Sequence, residues 1–117
     1  NFYMLSKLYL SQYFQGKKEA LSEANKNVDI ALKIDPYYAE VYETKGILYE
    51  GQGKIGEALQ MYERAFWVNP NLTGPIQKIE EIYRRMGKVS SARKIFEQAY
   101  RKWPENIEVF KALERVK

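Results

Sequence analysis

The sequence repeats itself with a period of 34 residues over most of its length. Pro36, Pro70 and Pro104 are spaced at this interval, and the same step relates Tyr49 to Tyr83. Other pairs at the same spacing are Gly53 and Gly87, Ala58 and Ala92, Tyr62 and Phe96, and Ala65 and Ala99. A period of this length is typical of a solenoid in which each repeat is a helix–turn–helix unit. Such a chain forms an extended binding surface rather than a reaction centre.

Glycine and proline divide the chain into seven predicted helices. Gly-Lys occurs at 16–17, 53–54 and 87–88, and glycine just past a helix can end it by adopting a left-handed conformation. Each proline of the 34-residue series ends a helical pattern, because proline disfavours helix in the residue before it. We therefore expect helices at about 2–15, 18–34, 37–51, 55–68, 73–86, 89–102 and 105–116.

Small and aromatic residues recur where paired helices must approach each other. In the second repeat they are Tyr42, Gly46, Tyr49, Ala58, Tyr62 and Ala65, followed by Pro70; in the third they are Ile76, Ile79, Tyr83, Ala92, Phe96 and Ala99, followed by Pro104. This pattern resembles the tetratricopeptide repeat (TPR) family. The resemblance implies an all-α fold, a right-handed superhelical solenoid of antiparallel helix pairs with about seven helices and three and a half repeats.

We expect a single domain over 1–117, and we expect the chain to be a fragment of a longer protein. Its repeats would span about 2–36, 37–70 and 71–104, with a terminal half-repeat at 105–117. The first repeat is three residues longer than the others, which predicts a longer second helix or a looser turn around Lys17 to Leu21. Glu80 stands where the family usually has a small residue. It either reaches solvent or a basic side chain, or the helices of the third repeat are splayed.

The resemblance also implies a concave groove, lined by the first helix of each repeat, that binds an extended or helical peptide of a partner protein. Side chains one turn from the packed face should point into this groove. They are Tyr3, Ser6, Leu10 and Tyr13; Glu40, Glu43, Ile47 and Glu50; Gln77, Glu81, Arg84 and Arg85; and Glu108 and Lys111. The groove would be apolar at its N-terminal end, acidic in the middle and basic around Arg84 and Arg85. The alternative is that these are ordinary solvated side chains.

One TPR subclass binds the C-terminal carboxylate of chaperones through lysine and asparagine side chains. The corresponding positions in this sequence are Ser6, Leu10, Thr44 and Lys78. Only Lys78 has the required chemistry, so we expect no clamp for a chaperone C-terminus.

The predicted first helix is apolar around much of its circumference, and a helix of this kind is normally buried. It could pack on a preceding repeat that the sequence lacks, on a second copy or partner, or on a membrane surface. Its polar face has little lysine or arginine, which argues against the membrane. If a second copy covers the helix, the expected contacts are Phe2, Leu10, Tyr13 and Phe14.

The chain contains neither histidine nor cysteine. The commonest general base, the commonest metal ligand and the thiolate nucleophile are therefore missing. We expect no enzyme activity, no cofactor and no bound metal. No apolar run approaches the ~20 residues needed to span a bilayer. The compartment stays open between the cytoplasm, which we favour slightly, and a bacterial cell envelope.

Positive charge is concentrated in residues 74–117, which hold eleven Lys/Arg and six Glu within a chain of net charge +4. The stretch SARKIFEQAYRKWPENIEVF also resembles a half-a-TPR (HAT) repeat, a relative found in RNA-processing scaffolds. This resemblance implies an alternative function, an RNA-binding or RNA-processing scaffold that uses the basic C-terminal third. Sequence-specific RNA recognition needs exposed aromatic rings beside the charge, and none is evident, so we regard nucleic acid as the less favoured partner.

Overall fold

Three glycines with positive φ end the first helix of successive helix pairs. Gly16, Gly53 and Gly87 have φ angles of 95°, 77° and 70°, a region that residues with a Cβ rarely occupy. In this computed structural model, which describes residues 1–117, the helices are α1 (Phe2–Phe14), α2 (Ala20–Ile34), α3 (Ala39–Gly51), α4 (Ile55–Val68), α5 (Thr73–Arg85), α6 (Val89–Lys102) and α7 (Ile107–Val116). The all-α prediction is confirmed, and every helix end lies within two residues of its expected position.

The three extra residues of the first helix pair are divided between its turn and its second helix. The turn between α1 and α2 covers residues 15–19, whereas the corresponding turns cover only 52–54 and 86–88. Helix α2 has 15 residues, one more than α4 and α6. Both of the expected adjustments therefore occur together.

The apolar core is largest between α4 and α7. Tyr62, Phe66 and Phe96 are completely buried there, and the rings of Phe66 and Phe96 meet edge to face with centroids 5.7 Å apart. A smaller cluster joins α1, α2 and α3, and its buried members are mostly small residues, namely Ala24, Val28, Ala31, Val41 and Leu48. The molecule is a flat slab of 42 × 30 × 17 Å, so that much of every helix remains accessible.

Helices α3 and α4 approach closely because residue 46 has no side chain. A Cβ added to Gly46 would lie 2.7 Å from Cε1 of Tyr62, closer than real Cβ atoms approach other carbons. Since the Tyr62 ring is completely buried, it cannot move aside without disturbing the core. The spacing between α3 and α4 is therefore determined jointly by the missing side chain at Gly46 and the aromatic ring of Tyr62.

Glu80 occupies the position in α5 that Gly46 occupies in α3, 34 residues earlier. Its carboxylate accepts hydrogen bonds from Nε of Arg115 in α7, at 3.0 and 3.2 Å, and lies 3.7 Å from Arg84. Helices α5 and α6 meet less extensively than α3 and α4. Glu80 therefore pairs with a basic side chain, as expected, and the pair of helices α5 and α6 is also more open. The ion pair with Arg115 connects α5 to α7.

We predict that Gly46→Ala lowers the free energy of unfolding by about 1–3 kcal/mol, because the new methyl group overpacks the contact with Tyr62. The matched control is Gly56→Ala in α4, where no atom lies within 4 Å of the new Cβ. There the better helix propensity of alanine should leave stability unchanged or raise it by up to about 1 kcal/mol. Urea unfolding followed by circular dichroism measures both, and equal midpoints for the two variants would contradict this account of α3–α4 packing.

Candidate partner-binding groove

The first helices of successive pairs lie side by side, and their shared surface is called the groove face below. Helix α1 contacts α3, and α5 contacts α7. Across α3 and α5, Nζ of Lys78 lies 3.0 Å from a carboxylate oxygen of Glu50. The groove face is therefore a continuous surface contributed by α1, α3, α5 and α7.

Two tyrosine rings meet at the N-terminal end of the groove face. The rings of Tyr3 in α1 and Tyr38, just before α3, have centroids 4.9 Å apart. Nζ of Lys7 lies 5.4 Å from the centroid of the Tyr3 ring. Burial raises the pKa of the Tyr3 hydroxyl, and the nearby carboxylates of Glu40 and Glu43 raise it further. This end of the surface thus combines aromatic rings with negative charge.

Glu40 and Glu43 of α3 have no ion-pair partner. The carboxylate of Glu43 lies against Gly74 at the start of α5, so closely that any side chain at residue 74 would collide with it. Burial raises the pKa of Glu43, the charge of Glu40 raises it further, and Lys7 and Lys78 oppose the rise. An additional cation placed here would therefore be favourable.

Glu50 is the centre of a hydrogen-bonded group that joins three helices. The hydroxyl of Tyr62 in α4 donates to Glu50 at 2.5 Å, and Lys78 in α5 approaches the same carboxylate oxygen. Burial acts to raise the pKa of Glu50, but Tyr62 and Lys78 together hold it below its ordinary value. Burial raises the pKa of Tyr62, and the hydrogen bond to Glu50 raises it further. The hydroxyl therefore stays protonated and remains a donor. The ammonium of Lys78 is thereby neutralised within the chain.

The polar groups at the clamp positions are used inside the molecule. Ser6 is completely buried, and its hydroxyl donates to the backbone carbonyl of Tyr3 at 2.6 Å. Thr44 is also buried and donates to the carbonyl of Glu40 at 2.9 Å. The expectation that Ser6 faces the groove is therefore wrong, because its side chain lies on the packed side of α1.

Leu10 and Tyr13 are half-buried in contacts within the chain. Leu10 packs against the core cluster of α1, α2 and α3. The hydroxyl of Tyr13 donates to the carbonyl of Gly51 at 3.0 Å, which joins the ends of α1 and α3. They are consequently not the free apolar surface that self-association would use, whereas the expected contacts Phe2 and Phe14 are exposed.

The exposed apolar surface of α1 lies on another side of the helix. Met4, Leu5 and Leu8 are 60%, 40% and 52% exposed. Because residues four apart share a helix face, these three form a stripe, called the N-terminal apolar patch below. Sequence periodicity could not distinguish this stripe from the packed face, since apolar residues occur on both.

The remaining expected groove residues differ in how accessible they are. Ile47 is half-buried against the main core, and Glu81 forms an ion pair with Arg85. Glu108 is half-buried, whereas the more accessible members are exposed, namely Gln77, Arg84, Arg85 and Lys111.

Part of the basic C-terminal third is used to hold α7 in place. Nη2 of Arg84 donates to the carbonyl of Arg115 at 2.8 Å, and Nε of Arg93 donates to the carbonyl of Val116 at 2.7 Å. These cations satisfy carbonyls in the last turn of α7, which have no partner within the helix. The two guanidinium groups are thereby oriented toward the C-terminus of α7 and keep their charge.

Lys7 and Tyr38 belong to the groove face, but sequence reasoning did not select them. Lys7 lies one helical turn after Tyr3, so the spacing used for the other residues could have identified it. Tyr38 lies in a turn, where no helical period indicates the direction of a side chain. No group of three or more potential metal-ligating side chains is arranged to hold a metal ion. None of the seven helices is both long and apolar enough to cross a membrane.

No protein-family model and no curated protein matches this sequence, but solved structures do. The first TPR of Spaghetti (RPAP3), bound to the HSP90 peptide SRMEEVD, is 20% identical with a TM-score of 0.63, over 97% of this chain and 89% of that one. The second TPR domain of human RPAP3, in complex with the HSP70 peptide SGPTIEEVD, is 16% identical with a TM-score of 0.62, over 98% of this chain and 94% of that one.

A thermophilic TPR protein of Thermus thermophilus is 20% identical with a TM-score of 0.67, over 98% of this chain and 61% of that one. Likenesses at this level of identity establish the fold. The chain therefore has the helical-repeat fold of TPR domains, with about three and a half repeats.

We predict opposite effects on stability for two glutamates of α3. The pKa of Glu50 is lowered in the folded state, so its contribution is present above its ordinary pKa of 4.5 and is lost as the pH falls through the folded pKa. Glu50→Gln should therefore cost about 1–2 kcal/mol at pH 7 and progressively less in acid. The pKa of Glu43 is raised, so its contribution is present below pH 4.5 and is lost as the pH rises, and Glu43→Gln should increase stability at pH 7.

Urea unfolding of both variants at pH 7 and in acid measures these effects. A loss of stability at pH 7 with Glu43→Gln as large as that with Glu50→Gln would show that the two carboxylates are not in the distinct environments described.

Proposed function

We propose that this chain, which has the fold of TPR domains, is a protein-interaction scaffold. Its groove face would bind an extended or helical segment of a partner protein, and α1 would associate with a second copy. The observation that best supports groove binding is the pair of unpaired carboxylates, Glu40 and Glu43, beside the rings of Tyr3 and Tyr38.

The chemistry of this corner favours a partner segment with arginine or lysine. Carboxylates form strong charge-assisted hydrogen bonds with these side chains, and tyrosine rings attract cations through their faces. Lys7 already lies above the Tyr3 ring, which indicates that a cation is tolerated there. Half-buried Ile47, one turn after Glu43, would contact an apolar side chain of the same segment.

The same surface is unsuited to the acidic tails named with the RPAP3 structures. At the corresponding positions, Ser6 and Thr44 use their hydroxyls on backbone carbonyls, and Leu10 has no polar group. The one suitable cation, Lys78, already pairs with Glu50. Because Glu40 and Glu43 would also repel an acidic peptide, we propose that chaperone C-termini are not the partners of this chain.

We predict that basic peptides bind and that SRMEEVD does not. The probes are fluorescein-labelled nine-residue peptides that each contain two arginines and two leucines, with the positions of these residues varied from peptide to peptide. Fluorescence anisotropy measures the affinity for each peptide and for labelled SRMEEVD. The double substitution Glu40→Lys and Glu43→Lys should lower the affinity for the best basic peptide by at least about tenfold, equivalent to about 1.4 kcal/mol.

The matched control is Glu23→Lys with Glu57→Lys, which reverses two exposed carboxylates on α2 and α4, away from the groove face, and changes the net charge equally. Tighter binding of SRMEEVD than of any basic peptide would reject the assignment. An equal loss of binding with the control pair would mean that net charge, and not the groove face, is responsible.

Self-association is proposed because the N-terminal apolar patch is exposed and free of charge. Soluble monomers rarely expose a contiguous apolar stripe without a binding role. The same side of α1 continues with Ser11 and Gln12, and Gln15 follows directly after the helix; none of these residues carries a charge. Association of copies through this side of α1 would therefore cost no desolvation of ionised groups.

We predict that the wild-type chain associates as its concentration rises and that Leu8→Glu abolishes association. The control is Met86→Glu, which changes an apolar residue of similar exposure, 47%, directly after α5. Sedimentation velocity over a wide concentration range measures the oligomeric state. A wild-type chain that remains monomeric throughout, or a Leu8→Glu variant that associates normally, would remove α1 as the contact.

A further inference from the structure

We propose that a cavity beside Glu63 on α4, outside the groove face, binds an arginine side chain of a partner protein. The site belongs to the middle of the chain, where α4 packs against α3 on one side and α5 on the other. It is separate from the proposed groove and from α1, and its occupant is inferred from a comparison between successive repeats.

An ion pair joins the first helix pair to the second, away from the groove face. Nζ of Lys45 in α3 lies 2.8 Å from a carboxylate oxygen of Asp29 in α2 and 5.9 Å from the centroid of the Tyr49 ring. Lys45 lies two residues after Glu43, and residues two apart point to nearly opposite sides of a helix. This junction therefore consists of an acid, a cation and a tyrosine ring on the side that a groove ligand does not reach.

The equivalent junction between the second and third helix pairs has the acid and the ring but no cation. The residues that follow Asp29, Lys45 and Tyr49 by 34 positions are Glu63, Ile79 and Tyr83. Ile79 is apolar and completely buried, and Glu63 forms no ion pair. The repeat thus places a carboxylate here and leaves its charge unbalanced within the chain.

The Glu63 side chain is half-buried, yet a ligand can reach its carboxylate. Burial raises the pKa of Glu63, and no neighbouring cation opposes the rise. Burial also raises the pKa of the Tyr83 hydroxyl, and the charge of Glu63 raises it further. No buried polar side-chain atom lacks a hydrogen-bond partner, so an unpaired oxygen of Glu63 is open to the surface. A cation placed beside it would restore the balance that Lys45 provides at the first junction.

Glu63 lines a surface cavity of about 670 Å³ together with aromatic side chains of two different elements. Trp67 lies one turn after Glu63 on α4, and side chains four residues apart are neighbours on a helix surface. Tyr37, in the turn between α2 and α3, is 79% exposed. Its backbone N–H donates to Oδ1 of Asp35 at 3.0 Å, which orders the turn and leaves the ring free for a ligand.

Arginine is the side chain that best matches an acid beside aromatic rings. Its planar guanidinium can form two parallel hydrogen bonds with one carboxylate and can stack on an aromatic face. It is also more weakly hydrated than the ammonium of lysine, so it enters a half-buried site at lower cost. Arg64 lines the same cavity, is exposed and has no ion pair. Its charge would repel the ligand and keep the guanidinium on the side of Glu63 and Trp67.

The test is an NMR titration of the ¹⁵N-labelled chain with a five-residue peptide that has one arginine between glycines and blocked termini. The matched probe replaces arginine by citrulline, which has nearly the same shape without the charge. The arginine peptide should shift the indole N–H signal of Trp67 in a saturable manner, and the citrulline peptide should not. Equal shifts with the two peptides would overturn the inference.

Two substitutions of adjacent residues should change the affinity in opposite directions. Glu63→Gln should lower the affinity for the arginine peptide by about tenfold, because a charge-assisted hydrogen bond is lost. Arg64→Gln should raise the affinity, because a like charge is removed. The control Glu57→Gln, which neutralises an exposed carboxylate of the same helix, should bind like the wild type. Unchanged affinity with Glu63→Gln would reject the site.

A loss of binding with Glu63→Gln is not expected to come from unfolding. Because the pKa of Glu63 is raised by burial, removing its charge should not lower stability at pH 7, and circular dichroism checks this. Tyr37→Ala is a second variant, since a ring that is 79% exposed contributes little to the core. It should also weaken binding, and normal affinity with both variants would place the ligand elsewhere.

A variant of the groove face separates this inference from the proposed function. The Trp67 response should persist when Glu40→Gln and Glu43→Gln are combined, and its loss in that variant would assign the arginine to the groove. If basic peptides bind the groove while Trp67 does not respond, this inference alone is rejected. If Trp67 responds while no peptide binds the groove, the groove proposal alone is rejected.

Discussion

The close contact between Gly46 and the ring of Tyr62 is the constraint on which the centre of this molecule depends. It brings α3 and α4 together so tightly that residue 46 has no room for a methyl group. The same approach carries the Tyr62 hydroxyl to Glu50, and Glu50 in turn holds Lys78 of the next helix pair. The close packing within one helix pair thus positions the polar groups that connect it to the next pair. In the following pair Glu80 replaces the glycine, and the connection to α7 passes through Arg115 instead.

This connection also decides the charge that a partner would meet. Glu50 neutralises Lys78 and leaves Glu40 and Glu43 as the free charges in the middle of the groove face. A side chain can be counted as basic in the sequence and still be unavailable, because its nearest carboxylate belongs to the same chain. Arg84 and Arg93 differ from Lys78, since their guanidinium groups donate to the last carbonyls of α7, which orients the groups but leaves their charge in place. Structural neighbours that share the fold therefore need not share the ligand.

The packing of neighbouring helix pairs explains which apolar positions are buried. Phe66 and Ile76 lie where helices of adjacent pairs meet, and both are buried. Tyr100 and Phe110, which follow them by 34 residues, are apolar and exposed, and their ring centroids lie 6.2 Å apart. Helix α1 has apolar side chains both toward α2 and α3 and away from them, so the same kind of residue serves packing on one side and meets solvent on the other.

The sequence by itself determined the fold and the helix boundaries, because the 34-residue period, the left-handed glycines and the prolines act through local geometry. It also identified Glu40, Glu43 and Glu50 as one face of α3, since helical spacing determines which residues share a face. Only the tertiary structure decided that Ser6 is buried, that Leu10 and Tyr13 turn inward, and that Met4, Leu5 and Leu8 remain free. Helical period cannot rank two apolar sides of one helix, because the choice depends on which neighbour packs there. The pairing of Lys78 with Glu50 was equally hidden, since the two residues are 28 positions apart and meet only when α3 and α5 lie side by side.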